Sequence, residues 1–386
     1  MKIQKQIAHK RHTRGVTCIL LIAMLFVTLF MYTVLPDTQS VQNTRRMQNE
    51  SIASLFAHAN TNNDIIFTVS FVGDIMLGRS LQDASEDYGY DYYFEKTNEY
   101  FTGFDLVLGN FENAIEYAGK ESNAAKKNFL LSANVDCLTA VVNAGFNMLN
   151  VANNHMLDYG VTGMLNTIDF LNQAGIAHVG AGRDVYEASS YQTIENDEIK
   201  IAVVGINEVT VSDSASRTTP GVLGARTLEP FHLKAVTDAA SVVDVVIVYI
   251  HWGDEYTTVI SNNQREIGKN LIDAGADIVI GSHPHTLQPI EMYKDGIIFY
   301  SLGNFIFDQG WSRTKDSCIV RYCIDENGHG VFELIPLRIN NGCPAETSNP
   351  IFTKRIFHAL TKNLSSENYV LDDGRLYVYP PTIKLN

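Results

Sequence analysis

The stretch IGKNLIDAGADIVIGSHPH, residues 267–285, carries the elements from which the fold is read. Ile267–Ala274 places Leu271 on an apolar helical face and stops at Gly275, a residue that readily takes the left-handed conformation closing a helix. Asp277–Ile280 then runs apolar and β-branched without polar alternation, as a strand buried on both faces does. Gly281-Ser282-His283-Pro284-His285 follows at once, and the proline stiffens two neighbouring histidines. Helix, glycine, strand and polar turn make the repeating unit of an α/β domain, and ligands bind at the carboxyl ends of its parallel strands.

The unit recurs upstream. Val135–Ala144 ends at Gly145, Met164–Ala174 ends at Gly175, and an apolar run follows each. Further runs of strand type are Ile65–Val72, Asp105–Leu108, Phe146–Val151, Ile201–Ile206, Val242–Ile250 and Ile297–Tyr300. The pattern predicts a largely parallel α/β domain over 63–340. Past residue 310, Cys318–Ile324 and Val331–Ile339 flank Asn327-Gly328, which predicts a β-hairpin. Residues 341–386 read as a C-terminal extension, with Arg375–Pro381 as an edge strand or strap.

The chain has 386 residues, 45% of them hydrophobic, enough for a large core. Its 29 Lys+Arg against 43 Asp+Glu give a net charge of −14. Five of the basic residues (Lys2, Lys5, Lys10, Arg11 and Arg14) sit in the first fourteen positions, so the remainder is more acidic still. Such a domain has no general surface for nucleic acid. An anionic substrate needs a local positive centre, and a metal ion is the simplest one. The five cysteines show no disulfide framework.

Gly15–Val34 is uncharged and apolar, long enough to cross a hydrocarbon core of about 30 Å. The basic cluster before it favours an inside amino terminus. The expectation is a cytoplasmic tail at 1–14, a single transmembrane anchor at 15–34, a polar linker at 35–62 and a domain outside the cell membrane.

Polar turns follow five strand runs: Gly73-Asp74-Ile75-Met76-Leu77-Gly78-Arg79, Gly109-Asn110-Phe111-Glu112-Asn113, Ala152-Asn153-Asn154-His155 with Asp158 just beyond, His251-Trp252-Gly253-Asp254-Glu255-Tyr256, and Gly281–His285. On one sheet edge they would gather Asp74, Glu112, Asn154, His155, His251, His283 and His285. That mixed nitrogen and oxygen set suits Mn, Fe or Zn better than Ca or Mg. A sixth turn places Asn304 and Asp308 on the same edge. Each turn alone also has a plain reading as turn or capping chemistry.

These motifs, in this order, resemble the CapA family, the poly-γ-glutamate capsule synthesis proteins of bacteria. The matching stretches are GDIMLGR (73–79), GNFENAI (109–115), NVANNHMLDYG (150–160), HWGDEY (251–256), GSHPHTLQPIE (281–291) and SLGNFIFDQ (301–309). That family is similar to the calcineurin-like metallophosphoesterases, whose fold is a four-layer α/β/β/α sandwich around a two-metal centre. The resemblance implies Asp74 and His285 on a first metal, Asn154, His251 and His283 on a second, and Glu112 bridging. It implies His155 as general acid oriented by Asp158, with Arg79, Asn110, Glu255 and Asn304 toward substrate. The phosphoesterases carry Asp-x-His where this chain has Asp74-x-Met76, so the first metal position is short of a ligand.

Three functions follow as expectations. The first is a membrane-anchored accessory of poly-γ-glutamate capsule or related surface-polymer synthesis, acting in export, elongation or anchoring beside a synthase and an exporter. The second is a metal-dependent hydrolase of phosphoester or amide bonds, with one or two ions and an acidic or phosphorylated polymer substrate. The third is a polymer-binding module without turnover.

Overall fold

A computed structural model of the protein describes residues 64–385 apart from 210–213 and 226–229. The expected tail, anchor and linker all lie outside the described residues. Among the described residues no helix is long and apolar enough to cross a membrane.

Strands β1 (Ile65–Ile75), β2 (Leu106–Phe111), β3 (Met148–Asn150) and β4 (Ala177–Val179) pair in parallel in that order. A second sheet follows, from β5 (Gln192–Glu195), β6 (Lys200–Asn207), β7 (Val245–His251), β8 (Ile278–Ser282), β9 (Leu287–Tyr293) and β10 (Gly296–Leu302). Its order is β9-β10-β8-β7-β6-β5, with β6, β7, β8 and β10 parallel. The chain then returns to the first sheet. There β11 (Asp316–Asp325), β12 (Gly330–Asn340), β13 (Tyr369–Asp372) and β14 (Arg375–Val378) extend it in the order β13-β14-β12-β11-β1.

Alternation along the strands assigns their side chains to three cores. Val69 and Phe71 of β1 and Leu106 and Leu108 of β2 meet Ile247 and Tyr249 of β7 in a core between the two sheets. Val72 and Val107 face the other way, onto helices α1 (Ser80–Tyr88), α2 (Cys137–Asn143) and α3 (Gly160–Ala174). Val246 and Val248 face α4 (Pro230–Ala240) and α5 (Asn262–Asp273) across the second sheet. The layers therefore run helix, sheet, sheet, helix.

Helix α6 (Pro350–Thr361) closes the inter-sheet core with Ile356, Phe357 and Leu360. Cys343–Glu346 and β14 both pair with β12, so 341–386 is built into the first sheet. The edge strand is β13 rather than the Arg375–Pro381 stretch, because β14 pairs on both sides. Gly145, Gly175 and Gly275 all take positive φ just past their helices. Cys137, Cys318, Cys323 and Cys343 are free thiols. Cys318 faces the core between the sheets and Cys323 the outer one, as their odd spacing requires.

The polar residue leading into a strand clasps the strand beside it. Asp105, Asn147, Asp244 and Asp277 each accept a neighbouring strand's backbone N–H, from Thr68, Val107, Lys200 and Val246, at 2.7–2.9 Å. Burial pushes the Asp277 carboxyl up from 3.8 to about 6. A carboxyl raised in the folded state binds more protons there than when unfolded, so its contribution falls as pH rises between those values. Asp277→Asn keeps the acceptor and removes the buried charge. It should raise stability at pH 7 by up to about 3 kcal/mol. Wild type and variant should melt alike near pH 4, and an equal gap at both pH values would refute the account.

Candidate metal centre

The sequence placed five polar turns on one sheet edge; the folded chain divides them between two sheets. The first sheet brings the turns after β1, β2 and β3, and the second those after β7 and β8. A run buried on both faces reads alike in either sheet, so the pattern could not separate them. The turns nevertheless converge. Asp74, Glu112 and His251 are fully buried, and His283 and His285 are 3% exposed.

Two groups of ligand atoms share Glu112: Glu112 with His251 and His283, and Asp74 with Glu112 and His285. Within each group the atoms lie within 4.8 Å of one another. Asn154 Oδ1 lies 2.9 Å from His251 Nε2, which adds an amide oxygen to the first group. A third grouping, Glu255 with His283 and His285, reaches the exposed rim. At the exit of β1, Asp74 N donates to Gly303 O at 3.0 Å. A Cβ on Gly73 would meet that oxygen at 1.8 Å, so only glycine lets the two turns approach and aim Asp74 inward.

Asn110 lies beneath the ligands and is fully buried. Its Nδ2 donates to Asp74 Oδ1 at 2.9 Å and stands 3.1 Å from His251 Nδ1. Its Oδ1 accepts from Asn150 at 2.9 Å and from Asn153 at 3.3 Å. One amide thus ties carboxylate to imidazole, the kind of support that fixes ligand orientation. Ser282 Oγ, 3.0 Å from His251 Nδ1, holds the same ring, and Asn304 Oδ1 stands 2.9 Å from His285 Nδ1. The sequence reading quoted Asn150, Asn153 and Ser282 within its motifs but gave none of them a role in the site, although all three lie in or just after the strand runs it identified.

His155 Nδ1 is 2.6 Å from Asp158 Oδ2, which also accepts from Leu131 N at 2.7 Å. Lys127 Nζ donates to Asp158 Oδ1 at 2.9 Å. With Nδ1 engaged, Nε2 is the nitrogen that faces Glu112 Oε1, 3.9 Å away. Lys127 sits in the loop before Leu131, where no strand-end rule points. Arg79 pairs with Asp308, and its guanidinium lies 5.4 Å from the Phe307 ring. Met76 is buried, with its sulfur 3.1 Å from Gly78 N.

The electrostatics fit a bound cation. Glu112 Oε1 and His283 Nδ1 are buried with no hydrogen-bond partner among the described residues. Burial, then the charge of Asp74, holds the Glu112 carboxyl well above its ordinary range. Burial, then neighbouring imidazoles, holds His251 and His283 well below theirs, which favours the neutral form that ligates metal. Orphaned acceptor atoms and opposed carboxylates are unfavourable unless a cation satisfies them. Three imidazoles, two carboxylates and an amide oxygen suit a divalent transition ion. The backbone is strained at the same place: Arg79, Tyr256, His283 and His285 all take φ between 53° and 94°, each at a cost of about 1–3 kcal/mol.

The fold defines the class, an α/β protein that gathers possible metal ligands at its strand ends, and sequence comparison gives the family. The profile of "Bacterial capsule synthesis protein PGA_cap" matches residues 68–309, and the chain belongs to that family. The chain is 36% identical to "Capsule biosynthesis protein CapA" of Bacillus anthracis over 92% of its length and 84% of that protein. It is 39% identical to "PGA biosynthesis protein CapA" of Bacillus subtilis (strain 168), over 82% of this chain and 83% of that one. Among solved structures it is similar to the calcineurin-like phosphoesterase YfkN from Bacillus subtilis, with 14% identity and a TM-score of 0.38, over 73% of this chain and 88% of that one.

Proposed function

We propose that the protein is a membrane-anchored, extracytoplasmic accessory of poly-γ-glutamate capsule or related surface-polymer synthesis, acting in export, elongation or anchoring. Its scaffold is the four-layer sandwich of metallophosphoesterase type, carrying one or two Mn, Fe or Zn ions. One observation carries the reading: the family match over 68–309 covers every turn whose ligands converge on Glu112. The apolar stretch at 15–34 supports an anchor at the cell membrane, and polymer synthesis there calls for a synthase and an exporter as partners.

Asp74, Glu112 and His285 would hold one ion, and Glu112, Asn154, His251 and His283 the other. When bound, such an ion supplies Lewis-acid polarisation of a substrate oxygen and activation of water. The chain's own groups supply the rest. His155 presents Nε2 to the centre and can deliver a proton to a leaving group, while Asp158 holds the ring. Asn110 keeps Asp74 and His251 in register. The braced His155–Asp158 pair favours hydrolysis of an amide or phosphoester bond as the mode of action, over a module that only binds polymer.

Deleting the gene in its own host tests the role. Surface polymer should fall in amount or change in chain length, and restoring the full-length gene should reverse the change. Polymer of unchanged amount and length would reject the capsular role. Full-length protein loaded with Mn, Fe or Zn should cleave a phosphoester or a γ-glutamyl model substrate; failure on all of them rejects the hydrolytic mode.

A further inference from the structure

Beside the metal centre, a groove of about 200 Å³ lies between α6, the start of β11 and the loop after β7. Ala359 of α6 is its half-buried apolar lining residue, over the core residues Leu287 and Ile356, and Arg313, Arg355 and Lys362 stand around it. In a chain of net charge −14 this is a local excess of cations. The carboxylate in the lining is Asp316, buried and shared by two guanidinium groups. Arg355 binds it at 2.5 and 2.7 Å, and Arg338 at 2.5 Å. One negative charge between two positive ones leaves the trio cationic. Arg313 is exposed, and among the described residues its partner is the neutral Thr258 Oγ1, at 3.3 Å. Lys362 is exposed and has no carboxylate partner among the described residues.

The groove and the metal centre share a wall. Thr258 and Thr286 line the groove, and Thr286 follows the ligand His285 directly. Thr286 Oγ1 donates to Thr257 O at 2.8 Å, and Tyr256 N to Pro284 O at 2.8 Å. The Tyr256 ring lies 5.9 Å from that of His285 and 4.6 Å from that of Trp311, which is 62% exposed. Arg313 stands two residues beyond Trp311.

We propose that this groove is a second binding site, outside the metal centre, for a chain of repeated carboxylates. Arg313, Arg355 and Lys362 hold its charges, its methylene stems lie against Ala359 of α6, and it passes over Trp311 and Tyr256 toward His285. The proposal rests on the capsular reading for its choice of polymer. Its charge complementarity does not depend on metal or turnover.

Trp311 provides the signal, because the chain's other tryptophan, Trp252, is fully buried. Full-length protein in detergent is titrated with poly-γ-glutamate and, in parallel, with polyphosphate while Trp emission is read. Poly-γ-glutamate should change the emission saturably, and added salt should weaken the binding. The double variant Arg313→Glu, Lys362→Glu replaces two exposed charges and leaves the Arg355–Asp316 pair intact. Its affinity should fall about tenfold or more at an unchanged melting temperature. Chelator-treated wild type should bind as before. Unchanged affinity in the double variant, loss of binding on chelation alone, or binding of polyphosphate without poly-γ-glutamate each overturns the groove. Failure here leaves the gene-deletion result untouched, so the groove and the capsular role fail separately.

Discussion

Glu112→Gln should empty both ligand groups of metal at once while the chain stays folded. The glutamate side chain is the member common to both groups, and its Oε1 is buried with no hydrogen-bond partner among the described residues. Glutamine has the same shape and lacks the charge. The prediction has two readouts that move in opposite directions. Elemental analysis of the full-length variant should show metal near background, against one or two ions in wild type. In the presence of chelator the variant should melt at or above wild type, because burial and Asp74 already disfavour a charge at position 112. With metal restored the order reverses. A ligand at a thousandfold excess over its Kd stabilises by about 4 kcal/mol, a rise on the order of 5–10 °C for a domain of this size. Wild-type metal content in the variant would show that Glu112 is not the shared ligand.

How much of this was legible in the sequence depends on the range of the forces involved. Strand runs and helix stops are local, and Gly145, Gly175 and Gly275 mark three helix ends by their need for positive φ. Residues 328–330 are equally local: Gly328 turns the β11–β12 hairpin at φ 77°. The partition into two sheets is not local. Ile278 of β8 and Leu106 of β2 are both buried apolar strand residues, and nothing in their neighbours says which sheet each joins. The ligands were readable because they stand directly after strands. Their supports were harder to find. Asn110 stands where a substrate contact was expected, yet the fold turns its amide toward Asp74 and His251. Lys127 reaches Asp158 from a loop that carries no periodic signal. The extension at 341–386 was unreadable because its strands are short and gain stability only by adding to β12 or to one another.

His155→Ala should lower turnover by about 10²–10⁴ while leaving metal content unchanged, a pairing that separates a proton donor from a ligand. Nδ1 is committed to Asp158 at 2.6 Å, so Nε2 remains for the substrate side. Asp158 is in turn held by the Leu131 N–H and the Lys127 ammonium, which fixes the imidazole's direction. Such bracing adds nothing to metal affinity, since neither His155 nor Asp158 belongs to a ligand group. Asp158→Asn should act through orientation. The amide can present a donor where the carboxylate only accepts, which pushes His155 toward the wrong tautomer, and turnover should fall with metal again retained. Lys127→Met should have the smallest effect, because it removes one of three contacts to Asp158. The measurements are kcat on the phosphoester or γ-glutamyl substrate that wild type cleaves, beside elemental analysis of each variant. If His155→Ala loses metal in proportion to activity, His155 is a ligand. If it keeps wild-type turnover, the leaving group takes its proton from elsewhere and the His155–Asp158 pair is structural.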